Sequence, residues 1–132
     1  MREILYVAIG GALGAVARYG VGLGAARLFG KGFPWGTLAV NVFGCFAMGM
    51  VVGILAGLES PHKVPANPVQ IAQWRQGVAI GFLGGLTTFS SFGADTLRDF
   101  QAGQPLLALT NVAANVVLSL AAVWCGAAVV RY

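Results

Sequence analysis

Charge is what this chain lacks most. Asp, Glu, Lys and Arg make up 9% of its 132 residues, against about 25% in an ordinary soluble domain, which leaves too little polar surface to coat a water-soluble globule. Acids are scarcer than bases, 4 against 8, and Glu3, Glu59, Asp95 and Asp99 fall at the ends of the hydrophobic runs or in loops. A proton-coupled cation exporter needs a buried carboxylate to carry its coupling charge, so that chemistry is not expected here. The single histidine, His62, sits beside Pro61 in a loop, and the 2 cysteines, Cys45 and Cys125, lack metal-ligand spacing. They read as a solvated side chain and two inert packing thiols. An intramembrane enzyme would want a cluster of His, acid or metal ligands, and no such cluster is visible, so catalysis is not expected. There is no internal repeat and no low-complexity tract.

Apolar sequence is what the chain has in excess: 58% of its residues are hydrophobic, the mean hydropathy is +0.79, and 20 are glycine. Crossing a bilayer core of about 30 Å takes about 20 apolar residues, and such runs occur at about 4–26, 37–58, 77–95 and 106–130. The expected architecture is therefore an all-α integral membrane protein, one transmembrane domain over residues 1–132 with four transmembrane helices. The Met1-Arg2-Glu3 start followed by apolar residues resembles the opening of a signal peptide, but the apolar character runs on well past a signal core, so a first span is expected instead. The longest loop, 59–76, carries Pro61, Pro65 and Pro68 and has room for an interfacial turn ending at Trp74-Arg75. Trp35, Trp74, Trp124 and Tyr132 lie near span ends, as an aromatic belt would place them. The expected location is the cell (inner) membrane, multi-pass, with lipid and a small solute as partners and no nucleic acid.

Lys and Arg normally fix orientation by their excess on the cytoplasmic side. Four spans place Arg2, Lys63, Arg75 and Arg131 on the N-terminal side and Arg18, Arg27, Lys31 and Arg98 on the other, which is no bias. A small count can balance by chance. Insertion in both orientations, with two copies paired antiparallel, is the preferred explanation, because four short helices can hardly enclose a pore alone. Gly10 and Gly14, then Gly49, Gly53 and Gly57, then Gly81 and Gly85 have the four-residue spacing that brings helix backbones close. That pattern announces a tight bundle or oligomer and nothing about function.

Polar residues inside apolar runs carry more information because each is costly in lipid. Thr37 and Asn41 are four apart, and Asn111, Asn115 and Ser119 follow at i, i+4 and i+8, so each set forms a stripe on one helical face. One amide alone reads as interhelical glue, worth about 0.6 kcal/mol per bond. Two aligned Asn beside a hydroxyl-rich neighbour favour a hydrated path. That neighbour is the run from Gly81 to Phe92, where a glycine pair, four hydroxyls and three phenylalanines interrupt the third span. Glycine costs a helix about 1 kcal/mol relative to alanine, and Ser and Thr offer the backbone competing hydrogen bonds. The third helix is expected to break near Gly84–Thr88, and in a bilayer such breaks persist only where protein or water satisfies the freed backbone, commonly at ion sites. With acids missing and amides, hydroxyls and positive ring edges present, a small anion suits the set; water or a neutral solute suits it too.

Three segments resemble the small fluoride channels of the CrcB or Fluc family: Gly10-Gly11-Ala12-Leu13-Gly14-Ala15-Val16-Ala17-Arg18-Tyr19, Gly36-Thr37-Leu38-Ala39-Val40-Asn41-Val42-Phe43-Gly44, and Gly81 to Phe92. The likeness spans all four helices. It implies an antiparallel dual-topology homodimer with two fluoride pathways, in keeping with the balanced charge count. It also implies that Asn41 lines the pore, that Phe89 and Phe92 form an aromatic box whose edges face the ion, and that Ser90 and Thr37 are further pore hydroxyls. Asn111 and Asn115 stand where some relatives carry Tyr and Ser, keeping donors on that track, while Gly93 stands where a hydroxyl can occur. Carbonyls at Gly84 and Thr87 from both subunits would hold a structural Na+ at the dimer interface. Arg18 resembles the family's first-helix arginine near a pore entrance, whereas Arg27 and Arg98 read as snorkelling cations. The expected function is a passive fluoride-selective channel that lets cytoplasmic fluoride leave the cell and so protects against fluoride toxicity. The alternative is a small dual-topology multidrug or cation exporter, which shares the size but wants a carboxylate in its first span. A mere assembly module comes last.

Overall fold

A backbone surrounded by lipid must satisfy its own polar groups, and a helix does so within one segment. The computed structural model describes residues 2–58 and 67–130, and expectations concerning residues 59–66, including His62 and Lys63, together with Arg131 and Tyr132, lie outside the described residues. Among the described residues the chain is all helix. Helix α1 runs Arg2–Phe29 and α2 runs Trp35–Leu58. The third span is composite: α3 (Pro68–Trp74), a wide-turn π-helical stretch (Arg75–Leu83), a single turn α4 (Gly84–Leu86), and, after the break, α5 (Phe89–Gln101). Helix α6 is Pro105–Val129. Four tracks are long and apolar enough to cross a membrane, the third from Ile71 to Gln101. Large apolar side chains such as Ile4, Val16, Phe43 and Leu106 face outward around them, so this is a multi-pass membrane protein.

The third track exceeds the window 77–95 at both ends, for two local reasons. At its start the Asn67 side chain accepts the Val69 N–H at 3.0 Å, with Pro68 in the first helical turn where its missing N–H costs nothing. At its far end α5 restarts on its own cap and is amphipathic, so its polar face lowers the local hydropathy although the helix continues. Asp95 and Asp99 consequently stand on a helix instead of at a span end or in a loop, and Asp99 is 7% exposed. The expectation that every acid lies outside the spans is thereby corrected. Left-handed glycines follow α1 and α5, Gly30 at φ 77° and Gly103 at φ 74°, the conformation that ends helices without a Cβ penalty.

Two backbone-to-backbone crossings hold the bundle. A Cβ on Gly10 would run into the Gly77 carbonyl, one on Gly14 into the Phe82 carbonyl, and one on Gly85 would stand 2.6 Å from the Gly11 carbonyl. Helix α1 therefore lies directly on the π-helical stretch. At the second crossing a Cβ on Gly49 would meet the Val123 carbonyl and one on Gly126 the Phe46 carbonyl, locking α2 to α6. These are the two most extensive packings in the fold. The spaced glycines at 10/14, 49/53 and 81/85 all lie in them, as small-residue helix contacts in membranes do.

Candidate functional site

The break falls at Thr87 and Thr88, both extended, with φ/ψ of −78°/155° and −153°/115°. Thr87 stays with the preceding helix: its N–H and its hydroxyl both donate to the Leu83 carbonyl, at 3.0 and 2.9 Å. Thr88 turns away. In a continuous helix its N–H would reach the Gly84 carbonyl; here it donates to Asn41 Oδ1 at 2.8 Å, while Asn41 Nδ2 donates to the Thr88 carbonyl at 3.2 Å. One side chain from α2 therefore satisfies both backbone groups of the residue at the break, and the Gly84 carbonyl loses the donor that a continuous helix would supply. Thr88 then caps α5, its Oγ1 accepting the Ser91 N–H at 3.1 Å and lying 3.0 Å from Ser91 Oγ and 3.2 Å from Ser90 Oγ.

The same amide continues into a seam. Asn41 Nδ2 donates to Asn115 Oδ1 at 2.9 Å, Asn115 Nδ2 donates to Asn111 Oδ1 at 2.8 Å, and Asn111 Nδ2 donates to Thr96 Oγ1 at 2.9 Å, which itself donates to the Phe92 carbonyl at 2.9 Å. Asn111 is fully buried and Asn115 5% exposed. The polar stripes on α2 and α6 thus meet each other and the break, and the amide hydrogens of Asn41 and Asn115 are taken up by protein acceptors. Ser119, one turn further along α6, has a buried hydroxyl oxygen with no partner among the described residues. Phe89 and Phe92 form an edge-to-face pair, centroids 5.3 Å apart at 62°. Phe92 is buried and Phe89 is 82% exposed, so the pair reaches from inside the bundle to its outer face.

A groove leads to this place from the α1–α2 turn. Its inner part, ≈ 390 Å³, is bordered by Arg18, Thr37, Thr88 and Ser91; its outer part, ≈ 490 Å³, is bordered by Lys31, Asp95 and Arg98, and the two share Gly22, Gly36 and Thr37. Thr37 Oγ1 donates to Asp95 Oδ2 at 2.8 Å and Arg98 pairs with Asp95 at 3.1 Å. Thr37 is therefore engaged at the groove wall, and among the described residues it makes no side-chain hydrogen bond to the amide seam. Three cations face one carboxylate along this path, a field that concentrates anions. Gly84 and Thr87 offer backbone carbonyls, hard oxygen donors of the kind that suit alkali and alkaline-earth cations, while the Thr87 hydroxyl gives its hydrogen to the Leu83 carbonyl. Among the described residues no group of three His, Cys, Asp or Glu could hold a metal.

Sequence reading brings out Asn41, Phe89, Phe92, Ser90, Asn111 and Asn115, which the fold gathers, and Thr37 and Arg18, which it sets along the groove. It misses Thr88, Ser91, Thr96 and Asp95. A Thr three residues before Ser91 at a suspected helix restart is the available signal for Thr88; for Thr96, i+4 from Phe92, nothing in the sequence alone points to its bond with Asn111.

Comparison with known proteins adds independent observations. The family description "CrcB-like protein, Camphor Resistance (CrcB)" matches residues 5–127. A protein of Rhizobium etli named fluoride-specific ion channel FluC is 47% identical over 131 residues, covering 99% of this chain and 98% of its own length. Proteins with the same name from Paracoccus denitrificans (46% over 127 residues, 96% and 93% covered) and Shewanella amazonensis (43% over 126 residues, 96% and 94% covered) are similar along nearly their full lengths.

Proposed function

This chain belongs to the CrcB-like family, and from that premise we propose that it is a passive fluoride-selective channel of the bacterial inner membrane, a transport protein and not an enzyme. The observation that carries the reading is the break at Thr87–Thr88, which lies at the inner end of a cationic groove, is held open by one amide from α2 and is followed on α5 by an edge-to-face phenylalanine pair. A small anion drawn in by Arg18, Lys31 and Arg98 would exchange hydration for the hydroxyls of Ser90 and Ser91, passing Thr37, whose own hydrogen is given to Asp95, and then the positive edges of Phe89 and Phe92. Asn41 acts here chiefly by fixing Thr88 and so aiming the capping hydroxyls; Asn115 and Asn111 hold Asn41 in register from α6. No coupling group is needed. Under an inside-negative potential, fluoride that entered as neutral hydrofluoric acid would leave down its electrochemical gradient.

The active form proposed is an antiparallel homodimer. The outward exposure of Phe89 supports it, because half of the ring pair then faces a second copy, and so does the balanced Lys and Arg count. The carbonyls of Gly84 and Thr87 fit a structural sodium ion at that interface: one copy brings only two such oxygens, and its partner would supply the matching pair. Sodium there would neutralise converging carbonyl dipoles and fix the two breaks against each other. The deciding experiment is efflux from liposomes containing the purified protein, read with fluoride and chloride electrodes. Rapid fluoride loss with chloride retained is expected, independent of pH. Failure to dissipate a fluoride gradient would defeat the proposal, and obligatory proton exchange would favour a coupled exporter.

A further inference from the structure

Ala15, Arg18, Tyr19 and Gly22 of α1 border the inner part of the groove, and their spacing of i, i+3, i+4 and i+7 makes one continuous helical face. Ala15 and Gly22 leave that face open, while Arg18 and Tyr19 supply its polar side chains. Gly22 also meets α2, where a Cβ on Gly36 would stand 2.8 Å from the Gly22 Cα. That crossing is the neck shared by the two parts of the groove. Tyr19 comes three residues before Gly22, so it stands about 4.5 Å further in, at 1.5 Å per residue.

A tyrosine on a membrane helix is ordinarily an interfacial anchor with its hydroxyl among the headgroups. Tyr19 lies too deep for that role. The 28 residues of α1 extend about 42 Å, which, centred on a hydrocarbon core of about 30 Å, leaves about 6 Å beyond each face. Tyr19 is about 15 Å from the helix end at Phe29, hence about 9 Å inside the core. A phenol facing lipid there would go without a partner, which is costly. The side chain is nevertheless 69% exposed, and the groove is the polar space beside it.

The hydrogens along the groove wall are not all free. Thr37 gives its own to Asp95, and Thr88 gives its own to Ser91. Among the described residues no side-chain hydrogen bond engages the Tyr19 hydroxyl, and no ion pair engages Arg18. We infer that the Tyr19 hydroxyl, beside the Arg18 guanidinium, is the first uncharged donor to bond fluoride on its way in, and that it sets the channel's apparent affinity for the ion. The inference rests on the channel reading above. Arg18 draws anions of any size, because its field acts at a distance; a hydroxyl favours a compact one, which comes closer to the proton and is held more strongly there. Ser91 and Ser90 then receive the ion at the break.

Efflux from liposomes containing the full chain, measured over a range of fluoride concentrations, tests this through the split between half-saturation and maximal rate. Tyr19→Phe should raise the half-saturating concentration about fivefold, equivalent to about 1 kcal/mol and to the usual net worth of one hydrogen bond. Maximal rate and elution on size exclusion should stay at wild-type values. The shift should persist when a non-permeant salt is added, since a direct bond is not screened, whereas the deficit of Arg18→Gln should shrink. An unchanged half-saturation in Tyr19→Phe would overturn the inference. So would a lowered maximal rate at unchanged half-saturation, which would make Tyr19 a structural part of the helix face, and so would a shift that vanishes at high salt. Wild-type liposomes that pass no fluoride would defeat the channel reading and this inference together; normal wild-type flux beside an unaltered Tyr19→Phe defeats the inference alone.

Discussion

The two halves of the third span are built on opposite principles. Before the break, Gly77, Gly81 and Gly85 bring bare backbone against α1, and the contact is steric. After it, α5 is joined to α2 and α6 through Thr88, Asn41, Asn115, Asn111 and Thr96, and the contact is a chain of hydrogen bonds. Lipid tails compete poorly with both kinds of contact, so each half relies on what survives without a hydrophobic drive: close packing in one, amide pairing in the other. The difference teaches where substitution should be catastrophic and where it should be graded. Backbone cannot step aside, whereas a side-chain seam can lose one link and keep the rest.

The steric half should break first and most completely. In Gly14→Leu the first added carbon already meets the Phe82 carbonyl and the Leu86 amide lies 2.8 Å away, neither of which can move without dismantling the π-helical stretch. The expected outcome is loss of monodisperse protein on size exclusion in detergent. Gly93→Leu, on the third span, is the control, because a Cβ there meets nothing within 4 Å, and it should purify as wild type. Equal yields of the two variants would show that the crossing is not what holds α1.

A graded loss is expected in the seam. Asn41→Leu keeps the branched shape of the side chain but removes three hydrogen bonds, two to the Thr88 backbone and one to Asn115, costing about 2 kcal/mol at roughly 0.6 kcal/mol each. The variant should assemble, melt earlier in a detergent thermal-shift assay, and lose at least about tenfold in fluoride efflux, since a factor of ten needs only about 1.4 kcal/mol. Normal efflux with a lowered melting point would make Asn41 glue alone.

How far the sequence reaches differs between the halves in the same way. The glycine spacings at 10/14, 49/53 and 81/85 read directly as close helix contacts, because a missing side chain has one consequence in a membrane helix. Asn41, Asn111 and Asn115 are visible as stripes, yet whether their amides face an ion or one another depends on helix rotation, which spacing does not contain. The break itself is legible from Gly84-Gly85 and the hydroxyls, but its clamp is not: the pairing of Asn41 with Thr88 joins residues 47 apart in sequence. The length of α5 was hidden because a capped amphipathic helix dilutes its own hydropathy, and Asp99 became a helical, buried acid for that reason.

The aromatic pair sits between the two principles and should separate transport from assembly. Phe92→Ile and Phe89→Ile each give up their shared edge-to-face contact, worth about 0.5–1.5 kcal/mol; Phe92→Ile also loses packing at a buried position, whereas Phe89 is 82% exposed and its replacement should lower the melting point less. Both should cut fluoride efflux while the protein still elutes as one species. Unchanged efflux in both variants would remove the rings from the ion path.

The smallest effect is expected where the seam's logic is applied at the rim of the groove. Thr37→Val deletes one bond, from Oγ1 to Asp95 Oδ2, and the carboxylate keeps Arg98 at 3.1 Å, so the cost should be about 0.6 kcal/mol or less. Melting should shift only slightly. Efflux is the sharper readout, because Thr37 borders both parts of the groove and, among the described residues, its hydroxyl is the side-chain donor that tethers Asp95 to α2. If the groove is the ion path, freeing that carboxylate brings a negative charge into the approach, and fluoride efflux should fall about two- to threefold at low salt and recover at high salt as the field is screened. If efflux is unchanged at both salt concentrations, anions do not enter between α1, α2 and α5, and the half of the third span that follows the break would meet its ion from the outer face bearing Phe89 instead.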